Sequence, residues 1–72
     1  MESVARIVVF RSDFSDQEKQ FALLRQHGAK ITRVLKIING IAVEVSPDKE
    51  RTLSGASEVL RIDIDEPVVE AL

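Results

Sequence analysis

The sequence contains no cysteine, tryptophan or tyrosine, and its aromatic residues are three phenylalanines. Without cysteine the chain forms neither a disulfide framework nor a thiolate metal site. A single histidine leaves only carboxylates as further metal ligands, so we expect no metal site and no cofactor. That histidine, His27, precedes Gly28 at the predicted end of a helix, where a basic side chain suits the negative helix end better than a catalytic role.

Length and charge restrict the class of protein further. A chain of 72 residues is enough for one small domain and leaves no room for a catalytic domain beside it, so we expect no enzyme activity. The composition, 44% hydrophobic and 31% charged, is typical of a soluble globular protein, and a net charge of −2 is too small to indicate nucleic-acid or membrane binding. Residues 39–72 carry eight of the twelve acidic residues, which indicates either a partner-steering surface or a solvated one.

Strand and helix signals alternate along the first half of the chain. Val4 to Arg11 is apolar on both faces, which predicts a central strand. Ser15-Asp16-Gln17-Glu18 matches a capping box and predicts a helix that ends at Gly28. Phe14 and Phe21 belong to this helix and its approach, and we expect both in the core.

The second half continues with a hairpin, a helix and a last strand. Lys30 to Ile38 predicts the second strand, and Asn39-Gly40 predicts a type I′ turn into a third strand, Ile41 to Val45. Ser46-Pro47 predicts the start of a helix that closes at Gly55. The last strand, Glu58 to Asp65, alternates apolar residues with Arg61, Asp63 and Asp65.

The order β-α-β-β-α-β predicts an α+β, ferredoxin-like fold, with a four-stranded antiparallel sheet and two helices on one face. The other face would be bare, and we expect Val8, Phe10, Val34 and Ile38 to form an exposed apolar patch there. Such a patch usually has a partner, although pairing of edge strands into a homodimer is equally consistent with these residues. RNA-binding sheets carry several exposed aromatic residues, and here only Phe10 is a candidate, so we expect no nucleic-acid partner.

Five segments, in this order along the chain, closely resemble the inhibitor I9 family, the pro-domains of subtilisin-like serine proteases. The resemblance covers about the whole chain. The segments are Arg6-Ile7-Val8-Val9-Phe10, Gly28-Ala29-Lys30-Ile31, Ile37-Ile38-Asn39-Gly40-Ile41-Ala42-Val43-Glu44-Val45, Ser46-Pro47 and Val59-Leu60-Arg61-Ile62-Asp63-Ile64-Asp65.

The resemblance implies an inhibitor and folding chaperone of a subtilisin-like protease. It implies a domain over residues 1–66, whose open sheet face packs on two protease helices, and a tail over residues 67–72 that enters the active-site cleft as an extended, product-like strand. Asp63 and Asp65 match the acidic residues that cap the N-termini of those helices. The tail residues in the cleft would be Val69, Glu70, Ala71 and Leu72.

Two alternatives stay open at this level. The chain is either the pro-domain of a protease precursor, which implies secretion, or a stand-alone inhibitor, which implies the cytoplasm. Met1 to Val4 lacks a basic start followed by an apolar region, so we expect no export address in this chain itself. From a different class, the sequence also fits a ferredoxin-like regulatory or oligomerisation module that has no protease partner.

Overall fold

The structure is a computed structural model that describes residues 2–65. Its elements follow the predicted order, with one short 3₁₀ turn added after the second strand. They are β1 (Val4–Phe10), α1 (Gln17–Gln26), β2 (Lys30–Leu35), the 3₁₀ turn (Lys36–Ile38), β3 (Gly40–Val45), α2 (Pro47–Ser54) and β4 (Val59–Ile64).

The four strands form one antiparallel sheet in the order β2-β3-β1-β4. Val8 of β1 lies opposite Ile41 of β3 and Ile62 of β4, so these side chains share one side of the sheet. Leu24 of α1 and Leu53 of α2 belong to the same buried cluster as Val8 and Ile41, which places both helices on that side. The predicted α+β, ferredoxin-like fold is confirmed.

The core lies between the two helices and this side of the sheet. Phe10 is 1% exposed and stacks at a tilt on Phe14, with ring centroids 5.6 Å apart. Phe14 and Phe21 pack against the core, as predicted. The other large, fully buried members are aliphatic, so most of the stabilisation comes from burial of apolar surface. They are Val8, Leu24, Ile41, Val43, Val45 and Leu53.

Both helices begin at a side chain that caps their free N–H groups. Ser46 accepts from the N–H of Lys49 and Pro47 takes the first helical position, as predicted. In α1 the cap is Asp16 rather than Ser15, and its carboxylate accepts from the N–H groups of the second and third helical residues at 3.0 and 3.4 Å. The prediction of Ser15 as the capping residue was therefore wrong by one position. The Asp16 carboxylate accepts from the N–H of Glu18, which is the donor that the Ser15 hydroxyl would bond in the predicted capping box.

The connection between β2 and β3 differs from the predicted type I′ hairpin. The chain leaves β2 at Leu35 and makes the 3₁₀ turn, and Asn39 takes the left-handed conformation with φ 54°. Gly40 is already part of β3, where an added Cβ would lie 3.1 Å from the carbonyl oxygen of Val8. Gly40 is thus required for close packing, whereas the positive φ belongs to Asn39 and to Gly28, which ends α1 at φ 73° as predicted.

A small polar network holds this connection in place. The Asn39 side-chain amide donates to the carbonyl of Arg11 at 2.9 Å, and its oxygen accepts from the buried Gln20 at 2.9 Å. Gln20 also donates to the carbonyl of Phe14 at 2.7 Å. The Asn39 turn, the β1–α1 connection and α1 are therefore joined by hydrogen bonds that satisfy groups shielded from water.

Candidate functional site

The candidate site is the side of the sheet opposite the helices, here termed the open face. Cross-strand partners show which side chains lie on it, since Ile7 of β1 faces Ala42 on one side and Asp63 on the other. No helix among residues 2–65 packs on this side. The open face consists of Ala5, Ile7 and Val9 from β1, Lys30, Arg33 and Leu35 from β2, Ala42 and Glu44 from β3, and Arg61 and Asp63 from β4, with Asp65 directly after it.

The prediction that Val8 and Phe10 lie on this face is wrong. They are 0% and 1% exposed and belong to the core beneath the helices. The error arose because β1 is apolar on both sides, so its sequence does not indicate which side the helices cover. Ile7 and Val9 occupy the open face instead, and Val9 is buried while Ile7 is half-buried.

Val34 and Ile38 are partly exposed, yet they do not complete an apolar patch on the open face. Val34 lies opposite Ile41, which puts it on the helix side at the outer edge of the sheet, where it is 38% exposed. Ile38 belongs to the 3₁₀ turn rather than to a strand and is 40% exposed. The predicted four-residue patch on the open face is therefore wrong. β2 ends at Leu35, before Ile38, and the Val34 side chain lies on the helix side of the sheet rather than on the open face.

Charged side chains dominate the rim of the open face. The Arg61 guanidinium lies 3.1 Å from a carboxylate oxygen of Asp63. The Arg33 guanidinium reaches both carboxylate oxygens of Asp65 at 3.2 and 3.3 Å. Since Arg33 belongs to one edge strand and Asp65 follows the other, this ion pair joins the two edges of the sheet.

Asp63 and Asp65 therefore lie on the open face, on the side that the last strand's alternation predicts, and each has a guanidinium partner. These two guanidinium partners were not among the predicted site residues. The Arg61–Asp63 pair has a sequence signal, because residues two apart on a strand share a face. The Arg33–Asp65 pair has no such signal in the sequence, because the strand order determines which distant residues come into contact.

The main chain stays in the sheet as far as Asp65, whose N–H donates to the carbonyl of Ala5 at 3.2 Å. Asp65, the last residue that the structure describes, therefore lies beside the beginning of β1. The proposed cleft residues, Val69, Glu70, Ala71 and Leu72, lie outside the described residues, and so does the domain boundary predicted at residue 66.

One further ion pair lies on the opposite side of the sheet. Arg6 projects from β1 towards the helices, and its guanidinium lies 2.9 Å from the carboxylate of Glu50 in α2. Both side chains are only about a quarter exposed, at 22% and 26%, so this pair is better shielded from solvent than those of the open face. It fixes α2 against the sheet and has no role in the candidate site.

Other kinds of site receive no support from residues 2–65. They bring together no group of three or more His, Asp or Glu side chains able to hold a metal ion. His27 caps the end of α1, and its Nδ1 lies 3.0 Å from the carbonyl oxygen of Leu23. No helix of this part of the chain is long and apolar enough to cross a membrane.

No protein-family model matches the chain, and no curated protein matches it. The functional proposal therefore depends on the residues themselves and on the geometry of the open face.

Proposed function

We propose that this chain is the pro-domain of a subtilisin-like serine protease, acting as an intramolecular chaperone and tight-binding inhibitor. The proposal gives it no catalytic activity of its own. Its open face packs against the protease, and its C-terminal segment lies in the active-site cleft as a product-like strand. In the precursor form it is exported with its protease, whereas a stand-alone form acts in the cytoplasm.

The observation that carries the proposal is where the chain leaves the sheet. Asp65 stands at the rim of a sheet face that no described helix covers, and seven residues follow it. Extended, seven residues span roughly 23 Å, which is enough to reach from a docked sheet into a neighbouring cleft. The five segments that resemble the inhibitor I9 family support the same function.

The composition of the open face refines the expected mode of docking. Its apolar side chains include Ala5, which is exposed, Ile7, which is half-buried, and Ala42, which is buried, and its charged side chains are Arg33, Arg61 and their carboxylate partners. Helices that pack on such a face bury a modest apolar area and meet charged side chains. Electrostatic complementarity then contributes more to orientation than a large apolar patch would.

Asp63 and Asp65 would exchange their partners when the complex forms. A carboxylate at a helix N-terminus meets unpaired N–H groups and the positive end of the dipole, an interaction worth about 0.5–2 kcal/mol. A surface ion pair contributes about 0–1 kcal/mol, so at the middle of both ranges releasing Arg61 or Arg33 costs less than the cap returns. Typical values therefore favour the exchange.

The tail supplies the second anchor. Main-chain pairing in the cleft would give affinity, while apolar pockets would select Leu72 and Val69, with Glu70 and Ala71 between them. The open face would hold the domain close to the cleft. Linking the two contacts raises the effective concentration of the tail at the active site.

An inhibition assay tests the proposal directly. The chain is mixed with a subtilisin, hydrolysis of a peptide substrate is followed, and a trypsin-like protease of unrelated fold serves as the control. We expect the subtilisin to be inhibited at micromolar or lower concentrations of chain and the trypsin-like enzyme to be unaffected. Unchanged subtilisin hydrolysis at micromolar chain would refute the proposal.

A further inference from the structure

The two outer strands of the sheet, β2 and β4, have no strand beyond them among residues 2–65. Each also exposes an apolar side chain, with Val34 of β2 38% exposed and Ile64 of β4 63% exposed. An edge strand presents unpaired N–H and C=O groups to any chain that lies beside it. The two edges differ in charge, however, and this difference indicates which strand fits which.

Hydrogen bonds at the ends of β1 show which backbone groups point outwards from β4. The N–H of Asp65 donates to Ala5 and the N–H of Arg11 donates to Glu58, so odd-numbered residues of β1 bond to β4. Their partners in β4, such as Asp63, therefore point inwards. Since the direction alternates along an antiparallel strand, Ile62 and Ile64 point their N–H and C=O groups away from the sheet.

Hydrogen bonds between β1 and β3 show which backbone groups of β2 point outwards. The N–H of Phe10 donates to Asn39, so even-numbered residues of β1 bond towards β3. Val8 therefore bonds to Ile41 of β3, whose backbone groups point towards β1. Because the direction alternates along the strand, the backbone groups of the neighbouring Ala42 point towards β2. Val34, opposite Ile41, therefore points its backbone groups outwards.

A second copy of the chain placed beside the first matches these groups. All neighbours in the order β2-β3-β1-β4 are antiparallel, so β2 and β4 run in opposite directions. A copy translated along the sheet thus brings its β2 antiparallel to β4 of the first. Val34 then lies opposite Ile62, with outward backbone groups and helix-side side chains on both strands.

Charges agree with this register and oppose the pairing of two β2 strands. With Val34 opposite Ile62, Arg33 of one copy faces Asp63 of the other, and Lys30 faces Asp65 across the bulge at Thr32. Pairing β2 with a second β2 would bring Lys30 and Arg33 against the same positive residues. Like charges directly opposite one another on a sheet are destabilising, whereas opposite charges stabilise the pair.

We propose that the chain associates with itself head to tail, with β4 of one copy pairing antiparallel with β2 of the next. The contact is heterologous, so it leaves one free edge at each end and propagates without closing. The irregularities in both edge pairings, near Thr32 and opposite Val9, limit the regular contact to a few residues, and association is therefore weak. The proposal does not rest on the protease-inhibitor function, because it is argued from the backbone groups and charges of the two edge strands alone.

Two edge-blocked variants test it in sedimentation velocity runs from micromolar to millimolar chain. Val34→Pro and Ile64→Pro each remove one outward N–H and no hydrogen bond within the sheet. We expect the unaltered chain to form concentration-dependent oligomers and each variant alone to stay monomeric. An equimolar mixture should form dimers and nothing larger, because one usable edge of each kind remains. A monomeric unaltered chain at millimolar concentration, or a monomeric mixture, would overturn the proposal.

Charge-reversed variants keep the test decisive if proline prevents folding. Lys30→Glu with Arg33→Glu makes both edges acidic, and Asp63→Lys with Asp65→Lys makes both edges basic. Each variant alone should stay monomeric, while the mixture should regain oligomers that dissociate as salt concentration rises. Oligomers of similar size in either variant alone would instead indicate non-specific association and reject the edge pairing.

Discussion

The two faces of this sheet are built from the same strands and differ in almost every physical respect. Towards the helices, Val8, Phe10 and Ile41 are essentially fully buried. On the open face, charged residues such as Arg33 and Asp65 surround short apolar ones and form ion pairs exposed to solvent. The contrast indicates that burial on the helix side provides most of the stability, whereas the charged open face is available for binding.

The largest effect on stability is expected from Phe10→Ala. Phe10 is 1% exposed, and truncating a buried phenylalanine costs about 3–5 kcal/mol, which is most of the stability of a domain this small. Circular dichroism during thermal unfolding measures the loss. Ile37→Ala is the matched control, because Ile37 is fully solvent-exposed and its truncation should leave the midpoint unchanged. Equal midpoints for both variants would contradict the assignment of the two residues.

Deleting residues 69–72 separates binding from stability. If the tail occupies the protease cleft, inhibition should weaken by about 100-fold or more, equivalent to at least about 2.7 kcal/mol. The circular dichroism spectrum should stay unchanged, because the helices and the sheet already share one buried cluster among residues 2–65. Inhibition constants of the full and shortened chains make the comparison. Equal constants would remove the tail from the proposed mechanism.

The polar network at Asn39 tests how strongly the helix side depends on satisfied hydrogen bonds. Gly tolerates the left-handed conformation, so Asn39→Gly removes the side-chain bonds without backbone strain and should cost about 1–3 kcal/mol. Gln20→Ala should cost a similar amount. Because the two side chains hydrogen-bond at 2.9 Å, the double variant should lose less than the sum of both. Strict additivity in urea unfolding would show that they act independently.

The smallest effect on stability is expected from the carboxylates of the open face. Asp63→Asn with Asp65→Asn breaks two surface ion pairs and should change the free energy of unfolding by less than about 1 kcal/mol per pair. Inhibition should nevertheless weaken, and more so at low salt, if the carboxylates cap protease helices. Arg33→Gln is the matched control, since it breaks the same pair as Asp65→Asn but keeps the carboxylate. Inhibition unchanged in the double variant would mean that the carboxylates only face water.

The candidate site was predictable from the sequence in part. The alternation of Arg61, Asp63 and Asp65 on one side of the last strand follows from the two-residue period and is confirmed. The partner of Asp65 was not predictable, because Arg33 is 32 residues away and meets it only through the strand order. The apolar residues of the site were assigned to the wrong face, because Val4 to Phe10 is apolar on both sides.

The sequence by itself determined the elements, their order and most of their ends. Pro47, the capping side chains and the positive φ of Gly28 act within a few residues, so local chemistry is sufficient to place them. The tertiary structure alone decided which side of β1 the helices cover and that Asn39, rather than an Asn-Gly turn, closes the path into β3. Both choices depend on which surfaces bury most apolar area and leave no polar group unsatisfied, and those quantities exist only once distant segments are packed together.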